Sequence, residues 1–334
     1  MAIQMEYRKL QKLGQNSFAI SLPKKWIAQN KLIPGDPLLI RESNLDLIIS
    51  NPKLAAESGQ LMTTFPLDAN LRRNIIMAYL MGAQQILVKK EGGHFSADDR
   101  REMKVILDSL VGTQVVAEDA SSITVDFLVD VNREDLVQRI RQLYTLVMAM
   151  FENLQSIFAE NRAPADVLNN IIARDLDVNK LYFSIVRQIR GLAKQSPLLG
   201  KLKTPLYKVV DYRLMAHMLE NLGDCCVNIA RELLRVSQTD STKLIPPPLD
   251  ESFRSYLASA IYAHQQTQTA LIQTNSRIIQ EVIRHAQDEI GLRMEVDQSL
   301  YTVSGRPESM SYFAVFANLQ QIYQYAIDIC DLIE

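Results

Sequence analysis

The sequence has few cysteines, and they are not spaced as a disulfide framework would need. Three cysteines occur in 334 residues, at Cys225, Cys226 and Cys330. Two of them are adjacent, and neighbouring cysteines rarely pair with each other, so the odd count leaves no set of bridges. This pattern argues against a secreted, disulfide-dependent fold. We therefore expect a reducing compartment and a cytoplasmic protein.

The sequence also lacks a long uninterrupted hydrophobic run. Its longest charge-free segments are Tyr256–Ser276 and Ser309–Ile327, and both contain many Gln, Asn, Ser and Thr residues. A bilayer disfavours that many polar groups in a spanning helix. Near the start, Arg8, Lys9 and Lys12 interrupt the first apolar residues, which is not typical of a secretory signal. We therefore expect no membrane insertion.

Common enzyme motifs are missing as well. The chain contains no GxGxxG, no Walker loop, no GxSxG and no paired CxxC. A carboxylate-bundle metalloenzyme would need Glu-x-x-His motifs on facing helices, and none occurs from residue 132 onward, where the helices are expected. These absences favour a protein that is not an enzyme.

What the sequence does contain is an uneven distribution of charge. Residues 1–30 hold five basic residues against the single acidic Glu6, a net charge of +4, while the whole chain has a net charge of −2. The rest of the chain therefore sums to −6. A small basic unit on an acidic body indicates a local anionic partner. The five basic residues are Arg8, Lys9, Lys12, Lys24 and Lys25.

The patterns predict a mostly α, multidomain chain. Residues 1–53 alternate short strands with a helical turn at Lys24–Asn30, followed by Pro-Gly turn chemistry and a hairpin of Leu38–Ile40 with Leu45–Ile49. Such a unit is too small to close a core, so we expect it to pair with a second copy. Residues 61–130 predict a small α/β module, with a helix over about Asn70–Gln84 and a capping box at Ser96.

From residue 132 onward the hydrophobic spacing is helical throughout. The prolines at 246–248 divide the helices into three and three, which predicts one three-helix unit over 132–245 and another over 249–334. Leu219–Ala230 aligns without gaps with Leu319–Cys330, one hundred positions later, which favours a duplication. The expected helices after the first are Ala165–Ala193, Leu206–Val236, Leu249–His285, Ala286–Leu300 and Glu308–Ile333.

One face of the expected helix Leu206–Val236 carries candidate metal ligands. Glu220 and Asp224 lie four residues apart, and His217 lies one turn earlier on the same face. Oxygen ligands with one imidazole suit a divalent or iron-type metal such as iron, manganese or magnesium. The alternative is a solvated polar face, because the opposite face is an apolar stripe. Spacing alone leaves both interpretations open.

The segment Leu219–Ala230, read LENLGDCCVNIA, resembles the repeated signature of the PhoU family. Asp175–Tyr182 resembles the family's acidic cluster followed by a hydrophobic pair. The resemblance covers about residues 132–334 and implies two repeated three-helix bundles that regulate phosphate uptake. It also implies that Glu220 and Asp224 bind metal with help from Asp175 and Asp177. The chain departs from the pattern at Asn179, and Gln320 and Gln324 replace both carboxylates in the second repeat.

Residues 1–52 resemble the AbrB/SpoVT family, in which two chains interleave to form one swapped-hairpin β-barrel that binds DNA. The matching features are the basic first strand, Gly14, the stretch Ile20–Lys24 and the turn sequence from Leu32 to Asp36. The resemblance implies that Arg8, Lys9, Lys12, Lys24 and Lys25 contact double-stranded DNA. The order of the three parts is similar to that of a group of archaeal phosphate-uptake regulators.

Two functions follow as hypotheses. The first is a homodimeric DNA-binding transcriptional regulator of phosphate uptake, with the helical bundles as its sensing and interaction body. The second is an adaptor that docks on a phosphate transporter or sensor protein, with the N-terminal unit serving only for dimerisation.

Overall fold

The computed structural model describes residues 6–14, 17–43, 46–51, 62–128, 135–162, 164–194, 205–238, 243–273 and 275–333. The chain forms two compact units. One consists of residues up to 61 together with 197–202, and the other contains the rest of the chain.

The N-terminal unit contains two short antiparallel pairs of strands and one helical turn. Strand β1 (Gln11–Lys12) pairs with β2 (Phe18–Ala19), and β3 (Leu39–Ser43) pairs with β4 (Asp46–Ser50). Between them lies helix α1 (Lys24–Gln29). Pro23 immediately precedes this helix, where its fixed φ angle suits helix entry. The predicted helical turn and hairpin are therefore confirmed.

The turn at Ile33–Asp36 is closed by hydrogen bonds within its own residues. The Asp36 amide donates to the Ile33 carbonyl at 3.1 Å, and the Ile33 amide donates to the Asp36 carboxylate at 2.8 Å. Gly35 has a φ of 99°, a conformation that other residues rarely adopt. The side chain of Asp36 thus stabilises a turn and has a structural role there.

The N-terminal unit buries no apolar side chain among those that the structure describes between residues 6 and 51. Its two strand pairs form separate two-stranded sheets within the chain. The swapped-hairpin barrel would need strands from a second chain, and it stays a prediction. The exposed large apolar residues are Tyr7, Leu10, Leu13, Phe18, Ile20, Ile33, Leu39, Ile40 and Leu47.

The second unit begins with an α/β module whose four-stranded sheet has the order β5-β6-β8-β7. Strand β5 runs parallel to β6, and the other neighbours are antiparallel. The sequence did not predict β5, because its exposed and half-exposed residues, MTTFP, lack a strong hydrophobic pattern. The elements are β5 (Met62–Pro66), α2 (Leu71–Leu80), β6 (Gln85–Lys89), α3 (Ala97–Asp108), β7 (Thr113–Glu118) and β8 (Ser122–Phe127).

The predicted capping box at the start of α3 is confirmed. The Asp99 amide donates to the Ser96 hydroxyl at 3.1 Å, and the Ser96 amide donates to the Asp99 carboxylate at 2.7 Å. Lys90 also pairs with this carboxylate at 2.5 Å. The hydrogen bonds from Lys90 and Ser96 lower the pKa of Asp99 to about 2. The helix start is thus fixed by local chemistry that the sequence reveals.

Six long helices complete the second unit in the described part of the chain. One predicted boundary is wrong: the helix expected to run from Leu249 to His285 ends at Gln273, and the next begins at Ser276. The cause is Asn275, whose side chain accepts a hydrogen bond from the Arg277 amide at 3.0 Å and caps the new helix. The helices are α4 (Leu136–Glu160), α5 (Ala165–Lys194), α6 (Leu206–Ser237), α7 (Leu249–Gln273), α8 (Ser276–Val303) and α9 (Ser309–Cys330). No helix in the described residues is long and apolar enough to cross a membrane.

The six helices share one hydrophobic core, which draws buried side chains from each of them. The aligned segments on α6 and α9 pack against each other, and the side-chain amide of Asn221 donates to the Tyr325 hydroxyl at 3.1 Å. Equivalent positions have equivalent burial, as at Leu219 and Leu319, which are both fully buried. The closing helix of each half therefore occupies the centre of the body.

A buried polar network joins the two halves. Tyr144 on α4 contacts Nδ1 of His264 on α7 at 2.7 Å, and Nε2 of that histidine contacts the Ile322 carbonyl oxygen on α9 at 2.8 Å. Burial lowers the pKa of His264 to about 4, so the ring is neutral at pH 7. Since a carbonyl oxygen only accepts, Nε2 carries the proton and Nδ1 accepts from the Tyr144 hydroxyl.

Candidate functional site

Helix α6 presents its acidic residues beside a tightly packed core. Leu222 and Ile229 are fully buried, as expected for the apolar stripe of this helix. Cys225 and Cys226 are buried too, and burial raises the pKa of the Cys225 thiol to about 12. These cysteines fill the core, and their thiols are held in the protonated, unreactive form.

The fold brings a carboxylate from α5 to the acidic face of α6. Burial, together with the negative charges of Asp224 and Asp175, raises the pKa of Glu220 to about 7. Burial and the charge of Asp224 likewise raise the pKa of Asp175. We call Asp175, Glu220 and Asp224 the acidic cluster. Its members disfavour one another's ionisation, which favours the uptake of a positive charge.

Nearby side chains donate a hydrogen bond and positive charge to the acidic cluster. The Asn179 amide donates to Oδ2 of Asp175 at 2.9 Å, whereas Oδ1 of Asp175 is buried without a hydrogen-bond partner in the described structure. Burial also raises the pKa of Asp224, and the positive charge of Arg231 partly offsets the rise in pKa at Asp175 and Asp224, as that of Arg213 does at Glu220. Asn179, which departs from the PhoU pattern, therefore acts here as a hydrogen-bond donor.

His217 lies beside the cluster. Its Nδ1 is 3.5 Å from a carboxylate oxygen of Glu220, and its ring stacks on Tyr182 at 6.3 Å between centroids. Arg213 contacts Tyr182 in two ways. It donates a hydrogen bond to the Tyr182 hydroxyl at 2.9 Å, and its guanidinium lies 5.2 Å from the centre of the Tyr182 ring. The sequence placed His217 near Glu220 by spacing, whereas only the tertiary structure reveals Tyr182 as its support.

Asp177 lies apart from the other predicted ligands. It is two residues from Asp175 on the same helix, and residues two apart do not share a helix face. Asp177 is also exposed, whereas Asp175 is half-buried. The structure therefore brings together Asp175, Glu220, Asp224 and His217, and leaves Asp177 on the solvent side of α5.

The donor types suit a hard cation, but their arrangement is incomplete. Within the described residues, no three His, Cys, Asp or Glu side chains are placed to hold one metal ion. In the second half, Gln324 donates to Asp328 at 2.8 Å in place of the expected carboxylate. A metal at the acidic cluster thus stays a prediction, and the side chains as arranged do not form its site.

The predicted DNA-binding residues lie in the N-terminal unit. Lys9, Lys12, Lys24 and Lys25 are exposed, and the last two begin helix α1. Arg8 forms an ion pair with Glu6 and lies 3.5 Å from the Ser21 hydroxyl. The side chains are thus accessible to a ligand, although Arg8 would have to exchange its carboxylate partner for a phosphate or a base.

Comparisons with known proteins agree with the architecture of the helical body. Residues 140–233 match the family model of the PhoU domain, which covers less than a third of the chain. The structure is similar to the phosphate transport system regulatory protein PhoU from Streptococcus pneumoniae, with a TM-score of 0.50 and 15% identity, over 59% of this chain and 91% of that one.

The helical body has a PhoU-like fold. PhoU from Pseudomonas aeruginosa is also similar, with a TM-score of 0.51 and 13% identity, over 60% of this chain and 93% of that chain. No curated protein sequence matches the chain. The acidic cluster lies within the matched PhoU domain, since Asp175, Glu220 and Asp224 all fall between residues 140 and 233.

Proposed function

We propose that the chain is a homodimeric, DNA-binding regulator of phosphate uptake, in which the PhoU-like body senses and the N-terminal unit binds the promoter. The observation that carries the proposal is the N-terminal unit itself. It exposes nine large apolar side chains and a cluster of basic ones within about fifty residues. An isolated unit of this kind gains too little burial to be stable.

A second copy of the unit would account for both the exposed apolar side chains and the basic residues. Pairing would cover apolar surface that a monomer leaves in water, each buried side chain contributing about 1.5 to 3 kcal/mol. Pairing would also double the five basic residues to ten in the paired unit. Such a density of charge suits a polyanion, because each neutralised DNA phosphate releases counterions.

Within the basic cluster we assign different tasks to arginine and lysine. Arg8 is the candidate for base recognition, because a guanidinium can donate two hydrogen bonds to one guanine. Lys24 and Lys25 stand at the exposed start of α1 and would contact phosphates, which position the protein without reading sequence. The PhoU-like body supports phosphate as the signal, since the similar structures are PhoU proteins and one is described as a phosphate transport regulator.

The test is a mobility-shift assay with the full chain and promoter DNA of phosphate-transport genes over a series of salt concentrations. We expect binding at low salt that weakens steeply as salt rises. The double variant Lys24→Ala, Lys25→Ala should flatten the plot of log K against log salt by about one unit for each lost phosphate contact. The matched control is Arg72→Ala, Arg73→Ala, which removes two adjacent exposed arginines from the α/β module.

No binding at low salt, or equal losses from both double variants, would contradict DNA binding through the N-terminal unit. The adaptor function would then be tested by co-purification with phosphate transporter and sensor proteins. Genome-wide mapping of binding sites at high and low phosphate separates the regulon from DNA binding as such. A divalent or iron-type ion at the acidic cluster is a separate proposal, and elemental analysis of the purified protein tests it.

A further inference from the structure

Helix α8 carries an exposed apolar stripe on the side that faces away from its own core. The stripe consists of Ile283, Ile290, Met294 and Tyr301, whose exposed fractions are 37%, 61%, 58% and 82%. At 3.6 residues per turn, these four positions fall within an arc of about 40°. Other residues of α8, such as Val296 and Leu300, already pack in the hydrophobic core. The stripe is therefore surplus to the packing of the residues that the structure describes.

The spacing of the stripe is symmetric. Its members are separated by seven, four and seven residues, so the pattern reads the same in both directions about position 292. An antiparallel second copy of α8 would place Ile290 opposite Met294 of the other helix, and Ile283 opposite its Tyr301. Each contact would occur twice, which is the definition of a two-fold interface between identical subunits.

The charge of Asp297, the charged residue that lies nearest to the stripe, favours the antiparallel over the parallel direction. A parallel pair would place each exposed Asp297 and Arg284 level with its own copy, and like charges held level repel each other. In the antiparallel pair the two Asp297 residues lie about 15 Å apart along the axis, and the two Arg284 residues about 24 Å apart. In the antiparallel pair, the large Tyr301 of one helix also lies opposite the smaller Ile283 of the other.

We propose that helix α8 is a docking surface for a second copy of this chain, joined antiparallel through Ile283, Ile290, Met294 and Tyr301. The inference goes beyond the proposed function and uses only residues of the helical body, so it stands or falls independently of DNA binding. The stripe spans about 27 Å, and one helix pair of this length buries less than the ~800 Å² per partner of a standard interface. We therefore expect weak, concentration-dependent association.

Covalent trapping in the full-length protein tests the register directly. Ile283→Cys and Tyr301→Cys are prepared as separate single variants, and each is treated with a short bis-maleimide alone and after mixing. Residues 283 and 301 lie about 27 Å apart along one helix, so neither single variant can link to its own copy across the antiparallel pair. The natural cysteines are buried and give little background. We expect a covalent dimer from the mixture, at least tenfold more abundant than from either variant alone.

Two controls decide between this register and other contacts. A mixture of Ile283→Cys with Val105→Cys, an exposed position on α3, should give no more dimer than the single variants. Adding Ile290→Lys to both cysteine variants should abolish the trapped dimer, with circular dichroism confirming that the helices remain folded. Equal trapping in all mixtures, trapping of the single variants alone, or a dimer unaffected by Ile290→Lys would overturn the proposal.

Discussion

At the scale of single residues, Arg187 joins the α/β module to helix α5. Its guanidinium donates to the carbonyl oxygens of Tyr79 and Ala83 at the end of α2, with the latter bond at 2.8 Å. It also lies 4.8 Å from the Tyr79 ring and 5.5 Å from the Phe127 ring. One side chain thus supplies a donor to the Ala83 carbonyl, adds a second donor to the Tyr79 carbonyl, which also accepts from the Gly82 amide at 3.0 Å, and packs between two aromatic rings.

Replacing Arg187 by Leu should therefore lower the free energy of unfolding by about 2 to 4 kcal/mol, because the Ala83 carbonyl loses its side-chain donor, the Tyr79 carbonyl loses one of its two donors, and the contacts with two aromatic rings are lost. The measurement is urea unfolding followed by circular dichroism. The control is Arg190→Leu on the same helix, which in the described part of the chain loses a contact to the Met81 sulfur at 3.6 Å and should cost within about 0.5 kcal/mol. Equal costs for the two variants would show that the Arg187 contacts add nothing.

The acidic cluster makes stability depend on pH through Glu220. Its pKa is raised to about 7 in the folded chain, above the ordinary value of 4.5. Between these values the folded state holds a proton that the unfolded state releases, so stability should fall as pH rises from about 4.5 to 7 and then level off. The loss is on the order of 1 to 3 kcal/mol.

Glu220→Gln should remove this dependence, because the amide does not titrate. We expect the variant to be more stable than the parent above pH 7 and equal to it near pH 4.5, as measured by urea unfolding across the pH range. Asp177→Asn, an exposed carboxylate on α5, should retain the parental profile. A Glu220→Gln profile parallel to that of the parent would rule out Glu220 as the group that titrates in this window.

At the scale of elements, two helical glycines have opposite surroundings. A Cβ atom at Gly223 on α6 would lie 3.1 Å from a methyl carbon of Val178, a fully buried residue of α5. The same atom at Gly291 on α8 would meet nothing within 4 Å. The first glycine therefore allows close packing of α5 on α6, while the second leaves an open helix surface.

The same substitution should consequently have opposite effects at these two positions. Gly291→Ala should stabilise the chain by about 0.5 to 1 kcal/mol in dilute solution, through helix propensity alone. Gly223→Ala gains the same propensity but crowds Val178, and we expect it to be at least ~1 kcal/mol less stable than Gly291→Ala. Thermal unfolding at low protein concentration measures the stability of both variants. Equal shifts in melting temperature would mean that α5 moves to accommodate the added methyl group.

At the scale of the whole molecule, the two units differ in how they are held together. The second unit has a core that extends through six helices, and the α/β module adds a core of its own. The N-terminal unit buries no apolar side chain among those that are described. Its stability should therefore depend on association, whereas that of the second unit should not.

Hydrogen exchange can follow both units in one sample. Amide protection in strands β1–β4 should rise with protein concentration, while protection in helices α4–α9 stays constant. Phe18→Asp should abolish the protection of the N-terminal strands without affecting the helices, because it places a charge on the exposed apolar surface. Val105→Asp, an exposed apolar position on α3, is the control. Protection that is independent of concentration would mean that the unit folds alone.

The sequence by itself determined the local elements of this protein. The capping box at Ser96, the turn at Ile33–Asp36 and the six-helix body follow from short-range patterns, because caps, turns and helical periodicity depend on residues close in the chain. The same patterns missed β5 and misplaced the break between α7 and α8. An edge strand carries little hydrophobic signal, and a single cap at Asn275 ended a helix whose periodicity continued.

Only the tertiary structure decided which distant residues meet. The sequence grouped Glu220, Asp224 and His217 by spacing on one helix, but the approach of Asp175 and the opposite position of Asp177 depend on how α5 turns against α6. The raised pKa of Glu220 and the support of His217 by Tyr182 arise there as well. The physical reason is that burial and charge coupling are properties of the packed interior, which joins residues far apart in the chain.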